Sequence, residues 1–379
     1  MIASKLPFVG RSIFPQMTAL ANQYGAINLA QGFPGFGADT KGLELICDYT
    51  MRGMNQYAPL TGLVSLKEKI SEKIAARGGR VYHPESEICI TAGATQALYS
   101  VLSAIVFEGD EVVVIEPAFD SYVPAILLNK GVPVRSEMMP GNYAIDWEDV
   151  KSKVTEKTKC IIVNTPHNPT GTVWSQSDLS GLRRALEGSD AFVLSDEVYE
   201  HLVFDGREHL SIANETDLAE RAFVIYSFGK TYHVTGWRGG YVCAPKALMK
   251  EVVKCHQFQV YAANTPFQYA LSDYSDHKEA YLHLNQFFQE KRDFFIQAIS
   301  GSKFKAISPE GTYFALLDYS NISDQDDRDF ANYLTIHHKV AAIPISVFFE
   351  RKRQDQILRF CFAKENEELE QAAALLHKV

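Results

Sequence analysis

The chain has 379 residues, enough for one large or two ordinary domains of ~150 residues. Its 46% hydrophobic and 22% charged residues exclude a disordered tail, a collagen-like repeat and a coiled-coil rod. The formal net charge of -9 repels phosphate backbones, so no nucleic-acid partner is expected, although a local basic pocket for one small anion stays open.

Residues 1–40 are rich in Gly and Pro, carry no long periodic stretch and read as an N-terminal arm wrapped on the body. The opening MIASKLPFVGRSIFPQM has neither the apolar core nor the cleavage site of a secretory signal. From about residue 85, short β-rich runs alternate with amphipathic stretches. Strands are predicted at 88–91, 111–116, 132–136, 160–164, 191–195, 222–227 and 240–244, with helices at 94–106, 119–128, 176–186 and 246–256. The strand cores (VVVI, CIIV, FVLS, FVIY) are continuous apolar runs, as strands buried on both faces require. They are far shorter than the ~20 residues of a membrane span, so no membrane partner is expected.

After about residue 275 the texture changes. A helix is predicted over 278–299, a strand over 311–317, a helix over 327–338, strands at 340–344 and 357–362, and a terminal helix. The fold class expected is therefore α/β: a large domain over 41–275 with a mostly parallel sheet between helices, and a smaller α+β domain over 276–379 joined by part of the arm. No two of the six cysteines form a CxxC pair, and four lie in strand-like contexts, so free thiols in a reducing, cytoplasmic setting are expected. No HExxH or other ligand spacing points to a metal.

Several segments that follow predicted strands hold chemistry-bearing residues. Ser227-Phe228-Gly229-Lys230-Thr231 ends like a P-loop, but position 224 is Val224, where the first glycine would be needed. Ser227-x-x-Lys230 also fits an acyltransferase pattern, but its partner motifs S-D-N and K-T-G are absent. The remaining reading is a ligand-lining lysine at the end of a buried strand, with Arg238 eight residues on. Asp196 and Tyr199 follow another strand, and the rigid turn Asn164-Thr165-Pro166-His167-Asn168-Pro169 a third. Gly93, Ala94 and Thr95 join a strand to a helix, where backbone N–H groups can meet an anion.

TAGAT, NTPHNPTG, SDEVY, SFGKTYHVTGWRGGY and LRF occur in this order. Together they resemble the fold-type I pyridoxal-phosphate (PLP) aminotransferases of class I/II over essentially the whole chain. The NQYAPLTG, TPHNPTG, SFGKTYHVTGW and EGTYF segments are similar to the methionine aminotransferase, kynurenine aminotransferase and glutamine transaminase K branch. The resemblance implies PLP as cofactor and amino acids and 2-oxo acids as substrates in a ping-pong exchange. It implies Lys230 as Schiff-base residue and base, Asp196 on the pyridine nitrogen, and Tyr199 and Asn168 on the ring 3-oxygen. Ser227, Arg238, Gly93, Ala94 and Thr95 would meet the phosphate, and Phe119 would stack on the ring.

Arg359, between apolar residues on a predicted strand, would take the substrate carboxylate beside Gly32 and Phe33, since a buried guanidinium needs a partner. Tyr57 matches a position that reaches the neighbouring subunit's site, which implies a homodimer with composite sites. Phe14, Phe33, Tyr122 and Phe348 add an apolar, polarizable character that favours methionine or aromatic side chains. His167 and His233 flank the motifs as possible substrate contacts. Gly239-Gly240 departs from the family's pattern of an apolar residue before the second glycine, and a looser turn is expected there.

Two other PLP-linked readings share this pattern. β-Elimination from cysteine conjugates would use the same lysine. A PLP-sensing regulator would need a DNA-binding module, and no basic recognition helix is evident. A nicotinamide dehydrogenase would need a GxGxxG after its first strand, which is missing.

Overall fold

The apolar runs read from the sequence assemble into a single large sheet. The structure, a computed structural model, describes residues 3–7, 9–351 and 353–379. The arm reading at residues 1, 2 and 8 and the small-domain reading at 352 lie outside the described residues. The strands are β1 (Ile27–Asn28), β2 (Ile88–Thr91), β3 (Glu111–Glu116), β4 (Val132–Glu137), β5 (Thr158–Asn164), β6 (Phe192–Asp196), β7 (Ala222–Ser227), β8 (Gly240–Cys243), β9 (Lys305–Ile307), β10 (Phe314–Asp318), β11 (Val340–Ala341), β12 (Ile343–Pro344) and β13 (Ile357–Cys361). The central sheet runs β2-β8-β7-β6-β5-β3-β4 and is parallel except for β8. A second, antiparallel sheet runs β12-β13-β10-β9, and β1 pairs in parallel with β11.

Continuous apolar runs are needed because the central sheet has a core on each face. Alternate side chains along a strand point to opposite faces. Val112 and Val114 of β3, with Cys160 and Ile162 of β5, pack under the helices Ala94–Ile105, Tyr122–Leu128 and Lys246–Gln259. Val113, Ile115, Ile161 and Val163 join the opposite core. That core continues into the C-terminal region through Phe314, Leu316, Leu358 and Phe360.

The register aligns the strand ends that matter. Asn164 at the end of β5 is opposite Asp196 at the end of β6, and Ser227 at the end of β7 is opposite Gly240 of β8. Thr91 at the end of β2 is also opposite Gly240. The carboxyl ends of β2, β5, β6 and β7 therefore share one edge, where open α/β sheets bind ligands.

Some elements differ from expectation. The N-terminal arm contains a 12-residue helix, Ile13–Tyr24, that buries Met17 and Ala21 and ends at Gly25 in the left-handed conformation. Pro15 lies in its first turn, where a missing N–H costs nothing. The long helix expected over 278–299 is two, Glu279–Leu282 and Leu284–Ala298. The strand expected over 340–344 divides into β11 and β12, which enter different sheets. All six cysteines are free, but Cys47 is exposed and Cys255 half-buried. No helix among the described residues is long and apolar enough to cross a membrane.

Candidate active site

A cavity of about 300 Å³ opens at the shared strand edge. Ala94, Thr95, Phe119, Asn168, Asp196, Tyr199, Ser227, Lys230 and Arg238 line it, and Gly32, Phe33 and Arg359 close it from the arm and β13. Three of these residues are cationic and one is anionic, so the acidic chain encloses a locally basic site.

Lys230 sits in the single helical turn after β7. Its Nζ donates to the Gly32 carbonyl at 2.7 Å and to the Tyr313 hydroxyl at 2.8 Å. Burial lowers its pKa to about 8, and the charges of Arg359 and Arg238 act in the same direction. Asp196 accepts a hydrogen bond from the Tyr122 hydroxyl at 2.7 Å. Burial raises its pKa to about 6. Asn164 ties the turn to this strand end: its side-chain NH2 donates to the Asp196 carbonyl at 2.7 Å, and its Oδ1 accepts from the Asn168 N–H at 2.8 Å.

Arg359 is 1% exposed at the centre of β13. Its Nη1 donates to Asn168 Oδ1 at 2.7 Å and its Nη2 to the Ala30 carbonyl at 3.2 Å, while its buried Nε has no partner. The guanidinium lies 3.9 Å from the Phe314 ring centroid and 5.3 Å from those of Phe14 and Phe348. Burial lowers its pKa to about 10, so the group stays charged at neutral pH. No carboxylate is within ion-pair distance of it among the described residues. A buried cation of this kind is costly until an anion meets it.

The other end of the cavity suits a second anion. Gly93, with φ +90°, caps helix Ala94–Ile105, whose first N–H groups have no acceptor within the helix. Arg238 faces the same point: a Cβ on Gly93 would be 2.8 Å from its Nη2. Gly239 and Gly240 make this closeness possible. A Cβ on Gly240 would lie 2.7 Å from the Ala94 nitrogen, and one on Gly239 would strike the Phe267 ring at 1.9 Å. The expectation of a loose turn at Gly239-Gly240 is thus corrected: the glycines tighten it.

Two candidate residues stand apart from this lining. Gly93 acts through its backbone, and Tyr57 is 81% exposed, edge-on to Tyr261 and outside the cavity of its own chain. His167 is buried against Thr170 Oγ1 at 2.7 Å, and burial lowers its pKa to about 4, so it braces the turn. His233 packs among Phe36, Phe287 and Phe288. No cluster of three or more metal-ligating side chains occurs among the described residues.

A family model for aminotransferases of class I and II matches residues 25–376. The chain belongs to the aminotransferase class I and II family. This aminotransferase is 44% identical to the methionine aminotransferase of Escherichia coli (strain K12) over 99% of its own length and 98% of the relative's. It is 30% identical to the human kynurenine–oxoglutarate transaminase 1, over 99% and 97% of the two chains. Among solved structures, an Escherichia coli protein with an identified methionine aminotransferase function superposes with a TM-score of 0.98 over 100% of both chains, at 44% identity. An aspartate aminotransferase of Thermus thermophilus superposes at 0.90 over 100% of this chain and 99% of its own, at 28% identity.

The sequence reading missed three parts of this aminotransferase's site. Tyr313, a partner of Lys230, hides in GTYF, which reads as an ordinary buried strand. Asn164, read only as part of a turn, is the brace between that turn and Asp196. The aromatic ring of Phe314, against Arg359, is visible only once β10 and β13 are paired.

Proposed function

We propose that this aminotransferase carries PLP on Lys230 and moves the amino group of methionine, or of another apolar or aromatic amino acid, to a 2-oxo acid in a ping-pong cycle. The observation that carries this reading is an amine of lowered pKa in one cavity with a buried guanidinium that lacks a carboxylate partner. The residues fit the cofactor. The Gly93–Arg238 cradle, Ser227 and the helix N-terminus at Ala94 and Thr95 hold a phosphate, and Asp196 holds a protonated pyridine nitrogen. Bound PLP supplies an electron sink for the electrons of a broken Cα–H bond.

The chain's own groups do the rest. Asp196 would gain a counter-charge there, which offsets the burial penalty that raises its pKa. Tyr199 and the Asn168 NH2 hold the ring oxygen; Asn168 Oδ1 is already taken by Arg359. Phe119, held edge-on by Tyr122 with centroids 5.8 Å apart, would cover the ring. Arg359 fixes the substrate carboxylate beside Gly32. The Lys230 Nζ, once free, would take the Cα proton and pass it on to C4′ of the cofactor.

The aromatic lining by Phe14, Phe33 and Phe314 supports an apolar or thioether side chain. The names of the Escherichia coli and human relatives support methionine and aromatic donors. The reading includes a cytoplasmic homodimer, with residues 41–275 as the PLP-binding domain, 276–379 as the small domain and 1–40 as the arm. A panel of amino acids with the PLP-loaded enzyme and a neutral 2-oxo acid tests it. Methionine and aromatic donors should outpace aspartate by at least about tenfold, the discrimination a pocket of matched apolar contacts supplies. Release of pyruvate from a cysteine conjugate without transfer to the oxo acid would instead favour elimination.

A further inference from the structure

We propose that Tyr313 is the positioning residue for the Lys230 amine, an assignment that rests on the reading of Lys230 as the base. Three segments distant in the chain meet at one nitrogen. Lys230 follows β7, Gly32 lies in the arm, and Tyr313 immediately precedes β10. Nζ donates to the Gly32 carbonyl at 2.7 Å and to the Tyr313 hydroxyl at 2.8 Å, and the Tyr313 hydroxyl donates to the same carbonyl at 2.6 Å. The three polar atoms form a closed triangle.

The direction of each bond follows from the proton count. The single hydroxyl proton of Tyr313 goes to the Gly32 carbonyl or to the neighbouring Tyr199 oxygen, so in either arrangement the Tyr313 oxygen faces Nζ only as an acceptor. A neutral amine has two N–H bonds and one lone pair. With both N–H bonds engaged, the lone pair is excluded from the triangle and is left for a substrate proton. When it takes that proton, the Cα–H bond breaks, an N–H bond forms and the electron pair stays behind on the substrate side. The same N–H bond would then break to pass the proton on to C4′ of the cofactor, which makes the transfer productive. An amine tethered by one contact alone would rotate, and its lone pair would lose its aim.

Tyr313 cannot swing out of this arrangement. It is 0% exposed, edge-on to Tyr199 with centroids 5.2 Å apart, and packed against Phe314 at 4.8 Å and Phe288 at 5.8 Å. Burial also raises its hydroxyl pKa well above the ordinary value, which keeps the proton on the donor. Because the triangle draws on the arm, the Lys230 loop and the strand before β10 at once, the amine is oriented only when those segments are together.

The test is Tyr313→Phe in the full-length enzyme, which keeps the ring packing. PLP bound per chain should match wild type. The kcat with methionine should fall about 10- to 100-fold with KM little changed, and the isotope effect with Cα-deuterated methionine should rise. A second readout needs no turnover. In the PLP-free chain, the pH dependence of Lys230 acetylation, followed by peptide mapping, should have a lower midpoint than wild type, because the ammonium loses an acceptor. Wild-type kcat, a loss carried by KM alone, or an unmoved Lys230 midpoint each overturn the proposal. If Tyr313→Phe does not fold, a fluorinated tyrosine at 313 weakens the acceptor at nearly constant shape and should move the midpoint the same way by less; no movement overturns the proposal. Borohydride labelling of a lysine other than Lys230 is a different failure, that of the reading beneath it.

Discussion

Asp196 and Lys230 are displaced in opposite directions by one cause, since burial penalises the charged form of each. The consequence for stability has a definite sign. The folded, PLP-free chain holds the Asp196 proton up to about pH 6, whereas an unfolded chain releases it near the ordinary aspartate value of 3.8. Between those limits the folded state binds more protons, so stability is fully present below the window and is lost as pH rises through it. The melting temperature of PLP-free wild type, relative to Asp196→Asn, should therefore fall from about pH 4 to 6 and level off above. A difference that is flat across this window would remove burial as the governing influence. PLP loading should shrink the slope, because a protonated ring nitrogen gives the carboxylate a partner.

Arg359 offers the converse trade at the same scale. It is a buried cation whose hydrogen-bond partners are both neutral, with the Asp120 carboxylate acting on it only through space. Arg359→Met replaces it with an apolar side chain of similar length, so the PLP-free melting temperature should rise. The same change should cut kcat/KM for methionine by roughly 100-fold, the value of a charge-assisted pair worth about 3 kcal/mol, while PLP affinity stays near wild type. A matching loss of PLP affinity would move Arg359 from the substrate to the cofactor.

At the level of elements, the junction of β8 with helix Ala94–Ile105 decides whether the anion cradle closes. Gly239→Val restores the apolar residue common elsewhere in the family. Here its Cβ would meet the Phe267 ring at 1.9 Å, and Phe267 is 1% exposed. Overpacking of this kind typically costs about 1–3 kcal/mol. The variant should melt several degrees lower, and its PLP affinity should fall with it, since Arg238 immediately precedes the displaced residue. Thermal melts and PLP titration measure both. Unchanged values would mean that helix Thr265–Tyr274, which carries Phe267, yields more readily than its packing implies.

The same scale separates what the sequence makes legible from what it hides. β3, β5, β6 and β7 are evident because strands buried on both faces leave uninterrupted apolar runs, and the chemistry-bearing residues follow directly on those runs. Helix Ile13–Tyr24 is obscured because its buried stripe is thin, Met17 and Ala21, and a proline opens it. Tyr313 is hidden for a different reason. Nothing local distinguishes a tyrosine packed in a strand from one whose hydroxyl meets the Lys230 amine 83 positions away.

At the scale of the whole molecule, Tyr57 is the unresolved piece of chemistry. Its side chain is exposed beside Tyr261, and Met51 and Phe258, near the two tyrosines in the sequence, are 86% and 87% exposed. Exposed aromatic and thioether side chains are costly in water, and a second copy of the chain would bury them. If Tyr57 completes the neighbour's site, two inactive variants should repair each other. Lys230→Ala lacks the amine but offers an intact Tyr57, and Tyr57→Ala lacks the tyrosine but offers an intact amine. Coexpressed and mixed at random, they should form heterodimers with one wild-type site each, giving roughly a quarter of wild-type activity per chain. Separately purified variants combined without subunit exchange should show only the mean of their own low activities. Coexpression that gives no more than that mean would place the function of Tyr57 within its own chain.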